Sequence, residues 1–421
     1  MQNNAAPNTH GPNTAHFIGL DIGTSAVRCV VGMIDATDGK PSIIGHGSSA
    51  NYGSRKGIVV HVDEVSEAII QAVTEAERIS GTQIHRATVN VNGSHIEGID
   101  SKGVIAISSN NREISQEDRL RVEEAATVIK MPPNREIIQF FAKNYSLDGQ
   151  RNIKDPVGMH GVRLEVDAHL VTAASPSLRN LDLAIEKAQI TPTNHTLSSL
   201  ASAEAVLGRQ QKEAGTVVLD IGSGTTNFIV IEDGEVQHVA VLPIGGMHIT
   251  NDLAIGLKTE LDIAEKVKVE HATLGVPKRA TATVRYGDSK DVHDHHFDAE
   301  MVNMIVEARV DELFEYVNKE LIKIRRARKL PGGVVLTGGT AKLPGIADFA
   351  REQLQLPARI GKLQTVTGLA DTVDDPSFHT VVGLMLLDML LQPDPDAGDP
   401  RGRPNGKAFK LVDGLFGKFR R

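Results

Sequence analysis

The sequence predicts an α/β protein of two lobes, and a repeated hairpin pattern is the main support for this fold class. In residues 17–25 and again in residues 217–226, an apolar strand brings an aspartate, Asp21 or Asp220, to a turn of glycine and hydroxyl residues. A second apolar strand follows each turn, and the two copies lie a domain's length apart. Because a chain of 421 residues is also long for one core, we expect two to four domains.

The two turns contain the residue types that bind phosphate and a metal ion. Glycines allow backbone N–H groups to converge on an anion, hydroxyls add donors, and an aspartate can hold Mg²⁺. A third segment, 333–345, is an apolar strand ending in paired glycines, against which a flat adenosine could lie. A tight turn would explain any one segment, but the ordered set predicts a site for ATP and Mg²⁺. The predicted binding residues are Gly23, Thr24, Ser25, Gly222, Ser223, Gly224, Thr225, Thr226, Gly338, Gly339 and Thr340, with Asp21 and Asp220 as the catalytic and metal-binding pair.

These three segments, in this order, resemble the phosphate 1, phosphate 2 and adenosine motifs of the actin/Hsp70/sugar-kinase superfamily, over residues 17–390. Within that superfamily, residues 152–163, 200–207 and 242–257 are similar to the FtsA family of bacterial cell-division proteins. The resemblance implies a two-lobed actin-like (ribonuclease H-like) ATPase fold that carries an inserted subdomain, called 1C.

The resemblance also divides the chain into predicted parts. Subdomain 1A comprises 17–86, 167–207 and 366–391, 1C comprises 87–166, 2A comprises 208–247 and 329–365, and 2B comprises 248–328. Residues 1–16 are expected to be a disordered arm, 392–406 a flexible linker, and 407–421 an amphipathic membrane-targeting helix.

Apolar spacing and capping residues predict the elements of the first lobe. A helix is expected with Asp63 as its N-cap, because apolar residues recur at helical spacing from Val65 to Ala76. In 1C, short strands such as 104–107 precede a helix that is capped by Ser115 and runs through Ile129.

The second lobe repeats the plan of the first. We expect a helical region at 249–269, an irregular polar stretch at 281–297 and a long helix at 299–328, with Met301 and Met304 in its apolar stripe. A shorter helix at 346–354 and an apolar helix ending at 391 complete the prediction.

Further site residues follow from the resemblance. Glu265 and Lys268 match a position that reaches the ribose and base, although the alternative of a solvated helix face remains open. Ala26 stands where FtsA relatives often have lysine, and Arg28 lies on the same strand face and could supply the charge. At Ser198 and Ser199 the superfamily commonly has an acid or amide followed by proline. Serine is a weak base, so the sequence supports ATP binding better than hydrolysis and predicts at most a weak ATPase.

A histidine cluster invites a second reading as a metal site. His293, His295 and His296 flank Asp294, but adjacent side chains of a strand point to opposite faces and no cysteine joins them. A polar loop is therefore favoured over a zinc site.

Composition excludes several classes of protein. Charged residues are 23% and apolar residues 40%, as in ordinary globular proteins. The single cysteine excludes an internal disulfide, and no apolar run reaches the length of a membrane span. The net charge of −8 argues against binding of nucleic acid by the body of the protein.

Residues 407–421 carry five bases and one acid, and on a helix their large apolar side chains fall on one face. Such a segment is expected to lie on an anionic membrane surface. The alternative is a helix that docks on the protein's own surface. The apolar residues are Phe409, Val412, Leu415, Phe416 and Phe419.

The resemblance implies an ATP-dependent protein that polymerises and tethers FtsZ to the cytoplasmic face of the membrane at the division septum. Arg309 matches a position implicated in gripping the acidic C-terminal tail of FtsZ, with a helical ion pair to Glu312 or Asp311 as the alternative. Other division proteins are expected to bind through 1C. Two further classes stay open, namely a pilus-assembly ATP-binding module and a small-molecule kinase of the same superfamily.

Overall fold

The computed structural model describes residues 15–35, 39–108, 111–277, 279–287, 292–364 and 366–391. Most of the predicted N-terminal arm, the predicted linker 392–406 and the predicted membrane helix 407–421 lie outside these residues. Within them, no helix is both long and apolar enough to cross a bilayer.

Strands and helices alternate along the described chain. The strands are β1 (His16–Ile22), β2 (Ala26–Ile34), β3 (Pro41–Ala50), β4 (Ser54–Arg55), β5 (Ile58–Val59), β6 (Arg86–Val91), β7 (Glu97–Ala106), β8 (Arg135–Leu147), β9 (Gln150–Ile153), β10 (Arg163–Ala174), β11 (Thr191–Leu197), β12 (Thr216–Ile221), β13 (Thr226–Glu232), β14 (Glu235–Leu242), β15 (Thr281–Tyr286), β16 (His293–Asp298), β17 (Gly333–Thr337), β18 (Ala358–Ile360) and β19 (Thr367–Gly368). The helices are α1 (Val62–Ser80), α2 (Gln116–Thr127), α3 (Ser175–Lys187), α4 (Ser198–Val206), α5 (Arg209–Ala214), α6 (Gly246–Leu257), α7 (Leu261–His271), α8 (Ala299–Lys323), α9 (Ile346–Leu354), α10 (Ala370–Val373) and α11 (His379–Leu391). Two 3₁₀ turns cover Gly339–Lys342 and Pro376–Phe378.

Each lobe is built on a sheet with an aspartate hairpin at its centre. The first sheet has the order β11-β6-β1-β2-β3-β19, and the second has the order β14-β13-β12-β17-β18. In both sheets the first hairpin strand pairs antiparallel with its partner and parallel with a strand on its other side. Because Asp21 and Asp220 are the penultimate residues of β1 and β12, both hairpins present a carboxylate near the carboxyl end of a buried strand. This confirms the predicted two-lobed α/β class.

A third sheet is inserted in the first lobe. This sheet has the strand order β7-β10-β8-β9. Helix α2 packs on one face of the sheet, and together they form a separate apolar core. The capping box predicted at Ser115 is present, because its hydroxyl accepts a hydrogen bond from the Asp118 N–H and the Asp118 side chain accepts from the Ser115 N–H. Helix α2 ends at Thr127, two residues before the predicted end.

Several predicted elements need correction. The N-cap of α1 is His61, and Asp63 lies in the first turn, where its charge suits the helix dipole. The stretch predicted to be irregular forms the hairpin β15–β16, so the histidine cluster lies on a strand. The helical region at 249–269 is two helices, which break where Lys258 takes a left-handed φ of 53°.

The long helix α8 also differs from the prediction. It ends at Lys323 rather than 328, and Met301 and Met304 are exposed. Helix α9 matches its predicted bounds.

Candidate functional site

The two aspartate hairpins face each other across a cleft of about 600 Å³. All the predicted nucleotide-site residues line it except Gly224 and Thr226. The predicted residues that line it are Asp21, Gly23, Thr24, Ser25, Arg28, Asp220, Gly222, Ser223, Thr225, Glu265, Lys268, Gly338, Gly339 and Thr340.

Both hairpin turns close in the same way. The Gly23 N–H donates to the Ala26 carbonyl at 3.0 Å, and the Gly222 N–H donates to the Thr225 carbonyl at 2.9 Å. The two tips touch at Gly224, where an added Cβ would lie 2.9 Å from Thr24 Oγ1. Gly224 therefore allows the close approach of the lobes instead of lining the cleft.

Thr226 also has a structural contact in place of the predicted one. Its buried hydroxyl donates to the Ile244 carbonyl at 2.8 Å. The hydroxyl thus ties β13 to the segment that leads into α6, and it is not available to a ligand in the cleft.

Asp21 is buried beneath the first tip, and its Oδ1 accepts a hydrogen bond from Asn90 Nδ2 at 2.7 Å. Burial raises the pKa of Asp21 to about 7, while the Arg28 charge lowers it and the Asp220 charge raises it. The Arg28 charge, which faces Asp21 in the β1–β2 register, thus offsets only part of the effect of burial.

Asp220 is held in a different way. Its Oδ2 accepts from Asn227 Nδ2 at 2.9 Å and from Thr380 Oγ1 at 3.4 Å. Burial raises the pKa of Asp220 as well, and these two hydrogen bonds and the Arg28 charge oppose the rise. Two buried carboxylates facing one cleft form a donor set that suits a hard cation such as Mg²⁺.

The third motif packs directly on the second hairpin. Gly338 has a φ of 84°, and a Cβ there would lie 2.5 Å from Asp220 Oδ1. Thr340 Oγ1 donates to the Gly222 carbonyl at 3.0 Å. Gly339, in contrast, has open space on its Cβ side, with Ser377 Cβ 3.9 Å away as the only near contact among the described residues.

Helix α7 brings Glu265 and Lys268 to the cleft beside the start of α6, where Lys268 Nζ donates to the Gly246 carbonyl at 3.2 Å. Lys268 Nζ lies 2.6 Å from Glu265 Oε2 and donates to Thr250 Oγ1 at 2.9 Å. Both side chains line the cleft, so the alternative of a purely solvated helix face does not describe them.

Ser198 does not reach the cleft. Its side chain is 2% exposed, and its Oγ accepts from Asn90 Nδ2 at 3.1 Å. Asn90 therefore joins Ser198 to Asp21. Glu204, six residues further along the chain, is paired with Lys212 at 2.7 Å.

Sequence reasoning missed the two asparagines that hold the carboxylates. Asn227 lies directly opposite Asp220 in the β12–β13 register, so the hairpin pattern could have identified it. Asn90 comes from β6, which pairs with β1 only in the folded sheet, and Thr380 comes from α11. No local pattern marks these two residues.

Arg309 on α8 lies outside the cleft, in a network of acids. It pairs with Glu312 on its own helix, and its Nη2 donates to Asp252 Oδ1 of α6 at 2.9 Å. The helical ion pair with Glu312, which was the alternative reading, is thus present.

The histidines of β16 do not form a metal-binding cluster with other described residues. His296 Nδ1 is 3.0 Å from Thr283 Oγ1 on the paired strand. Within the part of the chain that the structure describes, no three His, Cys, Asp or Glu side chains are arranged to hold a metal ion.

The two lobes, the central cleft and the carboxylate hairpins define an actin-like ATPase fold, and comparison with solved structures agrees. The PilM–PilN type IV pilus biogenesis complex matches with a TM-score of 0.64 at 17% identity, over 90% of this chain and 99% of that chain. MreB5 of Spiroplasma citri bound to ADP matches with a TM-score of 0.54 at 13% identity, over 90% and 97%. At these identities the likeness shows the fold alone.

Sequence comparison then identifies the family. The family model "Cell division protein FtsA" matches residues 217–383, and the model "SHS2 domain inserted in FTSA" matches residues 93–172. Cell division protein FtsA of Pseudomonas aeruginosa is 36% identical over 379 residues, which are 90% of each chain. The protein of that name from Bacillus subtilis is 38% identical over 378 residues, covering 89% of this chain and 83% of the relative. The chain belongs to the FtsA family of cell division proteins, and the predicted actin-like fold with an inserted subdomain is confirmed.

Proposed function

We propose that this chain is an ATP-binding division protein that polymerises and tethers FtsZ to the cytoplasmic face of the membrane at the septum. The observation that carries the proposal is the cleft, in which two matching hairpins present buried carboxylates in a chain of the FtsA family. MreB5 of Spiroplasma citri, which shares the fold, is described as bound to ADP.

The cleft residues fit a nucleotide with Mg²⁺. The backbone N–H groups and hydroxyls of the two tips would bind the phosphates, and Gly339 leaves flat space for the nucleoside. Asp21 and Asp220 would hold Mg²⁺, which supplies positive charge to the phosphate oxygens when bound. Asn90 and Asn227 orient these carboxylates. Because Ser198 is buried and its hydroxyl accepts a hydrogen bond from Asn90, we expect at most slow hydrolysis.

Nucleotide binding in this cleft would contact both lobes at once. The tips meet at Gly224, and Asn92 Nδ2 of the first lobe donates to Thr225 Oγ1 of the second at 3.4 Å. A ligand that binds both tips would therefore favour one relative position of the lobes, which gives ATP a means to control contacts between subunits in a polymer.

Contact with FtsZ is proposed at Arg309. An acidic tail would replace Asp252 or Glu312 as a partner of the guanidinium, which has enough donors for two carboxylates. Arg309→Glu should weaken binding of an FtsZ tail peptide, and the loss should shrink as salt is added. Glu312→Gln is the matched control, because it removes a competing acid and should leave binding equal or stronger. Unchanged affinity of Arg309→Glu at low salt would remove Arg309 from the contact.

Membrane attachment is proposed for residues 407–421 from their sequence. The test is co-sedimentation with anionic liposomes, in which the full chain should pellet. Deletion of 407–421 and Phe416→Glu should both release it while ATP binding persists, because each removes apolar contact with the bilayer. Sedimentation of either variant like the parent would show that the tail packs on protein instead.

Other division proteins are proposed to bind the inserted subdomain.

A further inference from the structure

The inserted subdomain contacts the second lobe at the edge of a sheet. Strand β14 is an edge strand of the second-lobe sheet, and the Val239 N–H donates to His169 Nε2 of β10 at 3.0 Å. Gly98 of β7 lies at the same contact, because a Cβ there would be 2.5 Å from both the Val239 carbonyl oxygen and His169 Nε2. One imidazole of the inserted subdomain, which belongs to the first lobe, is thus bonded to the backbone of the second lobe.

The hydrogen bonds of His169 fix which ring nitrogen carries the proton. Because Nε2 accepts from a backbone N–H, the proton of the neutral ring must lie on Nδ1, which donates to Asp100 Oδ1 at 2.7 Å. A second proton, on Nε2, would face the Val239 N–H and abolish the bond between the lobes. The side chain of His169 is 1% exposed, so the charged ring would also lose most of its hydration at this contact.

The neighbouring imidazole of His238 does not depend on its protonation state in the same way. The centroids of the two rings are 5.0 Å apart, and His238 Nε2 lies 2.8 Å from Glu320 Oε2 of α8. Since a carboxylate only accepts, His238 Nε2 is the donor in the neutral and in the charged ring, and protonation leaves this bond intact. His169 is therefore the ring whose bond is lost when it gains a proton.

Charged groups face His169 from every element packed against it. They are Asp100 of β7, Lys143 of β8, His238 of β14, Glu320 and Lys323 of α8, and Arg325 just after α8. Burial lowers the pKa of His169, and the charges of His238 and Lys143 act in the same direction, while the hydrogen bond and charge of Asp100 oppose them.

A cavity of about 400 Å³ at this contact is lined by both histidines and by three bases, Lys143, Lys323 and Arg325. The cavity lets water reach the contact. The bases repel a protonated His169, so they disfavour the closed contact once the ring is charged.

We propose that His169 is a pH-dependent latch between the inserted subdomain and the second lobe, in which the neutral ring holds β14 and the doubly protonated ring releases it. Because the pKa of His169 is lowered in the closed contact, the latch is fully effective above the ordinary histidine pKa of about 6.5 and weakens as the pH falls below it. The latch needs no nucleotide, and it adds a second contact between the lobes to the one at the hairpin tips.

Hydrogen exchange of the full chain at about pH 7.5 and about pH 5.5, corrected for the intrinsic effect of pH, tests the latch. Protection of the Val239 amide should fall about tenfold at the lower pH, because a released ring of pKa about 6.5 is then protonated by about ten to one. His169→Gln offers an amide oxygen that can accept from the Val239 N–H without titrating, so its protection should not change with pH. His195→Gln is the matched control, since His195 Nε2 lies 2.7 Å from Asp182 Oδ1 outside this contact, and it should behave like the parent.

Gly98→Ala tests the same contact without changing a titratable group. Its Cβ would force β7 away from β14, so the Val239 amide should be poorly protected already at about pH 7.5 and should change little at the lower pH. The proposal is wrong if His169→Gln loses as much protection at the lower pH as the parent, or if the parent loses none. It is also wrong if β1 loses protection by the same factor as β14, because that result indicates unfolding of the whole chain.

Discussion

The two aspartate hairpins share one backbone plan, but the residue that faces the carboxylate differs. In the first hairpin Arg28 lies opposite Asp21, and in the second Asn227 lies opposite Asp220. The same register position therefore supplies a cation to one lobe and a neutral amide to the other. A repeated motif with the same turn hydrogen bond need not perform the same chemistry twice.

The hairpins also differ in how they are braced. The Gly222 carbonyl of the second tip accepts from the Gly246 N–H at 2.9 Å and from Thr340 Oγ1 at 3.0 Å. The Gly23 carbonyl of the first tip accepts from Asn51 Nδ2 at 2.7 Å. The second tip is thus tied to the start of α6 and to the third motif, so a change there should disturb more of the cleft.

The largest expected effect separates the two aspartates. Asp220→Ala should weaken Mg²⁺-dependent ATP binding by about 10- to 100-fold, because it removes one of the two carboxylates proposed to hold Mg²⁺. Asp21→Ala should cost less, since losing this carboxylate leaves the Arg28 charge free for phosphate. Nucleotide titration measures both.

Glu260→Ala is the control for this pair, because Glu260 does not line the cleft and should bind ATP like the parent. Equal affinities for Asp220→Ala and Glu260→Ala would refute the site. Equal losses for the two aspartates would mean that the hairpins are equivalent after all.

Much of the cleft was predictable because its motifs are local. A strand, an aspartate and a glycine turn are adjacent in sequence, so both tips and the third motif could be placed before the fold was known. Asn90 and Thr380 could not, since they reach the carboxylates from β6 and α11. Gly224 and Thr226 do not line the cleft, because a turn residue can face the other lobe or its own backbone as well as the ligand.

The fold was predictable to a similar depth. The two-lobed plan follows from the repeat, whereas element ends depend on single residues such as Lys258, whose left-handed backbone ends α6. The hairpin β15–β16 was missed because β16 is polar except for Phe297, although β15 alternates buried Ala282 and Val284 with exposed residues and could have been recognised as a strand.

The second-largest effect is expected at Gly338 and Gly339 of the third motif, which packs against the second hairpin. Gly338→Ala should lower the free energy of unfolding by about 1–3 kcal/mol and abolish ATP binding, because its φ of 84° is costly for alanine and its Cβ would meet Asp220. Gly339→Ala should be tolerated in both respects, since its Cβ meets open space. Chemical denaturation and nucleotide titration measure the pair. Similar behaviour of both variants would mean that the second hairpin does not depend on this close contact.

The smallest effects distinguish the threonines of the two tips, and they should run in opposite directions. Thr226→Val removes a buried donor from the Ile244 carbonyl and should lower the free energy of unfolding by about 1–2 kcal/mol, with ATP affinity of the folded protein unchanged. Thr24 lines the cleft, and its partly exposed Oγ1 accepts from the Gly57 N–H at 3.0 Å, a bond that water can replace. Thr24→Val should therefore leave stability within about 0.5 kcal/mol of the parent and weaken ATP binding severalfold. If Thr226→Val lost ATP affinity without losing stability, its hydroxyl would act in the cleft, and the threonines of the two tips would have the same role.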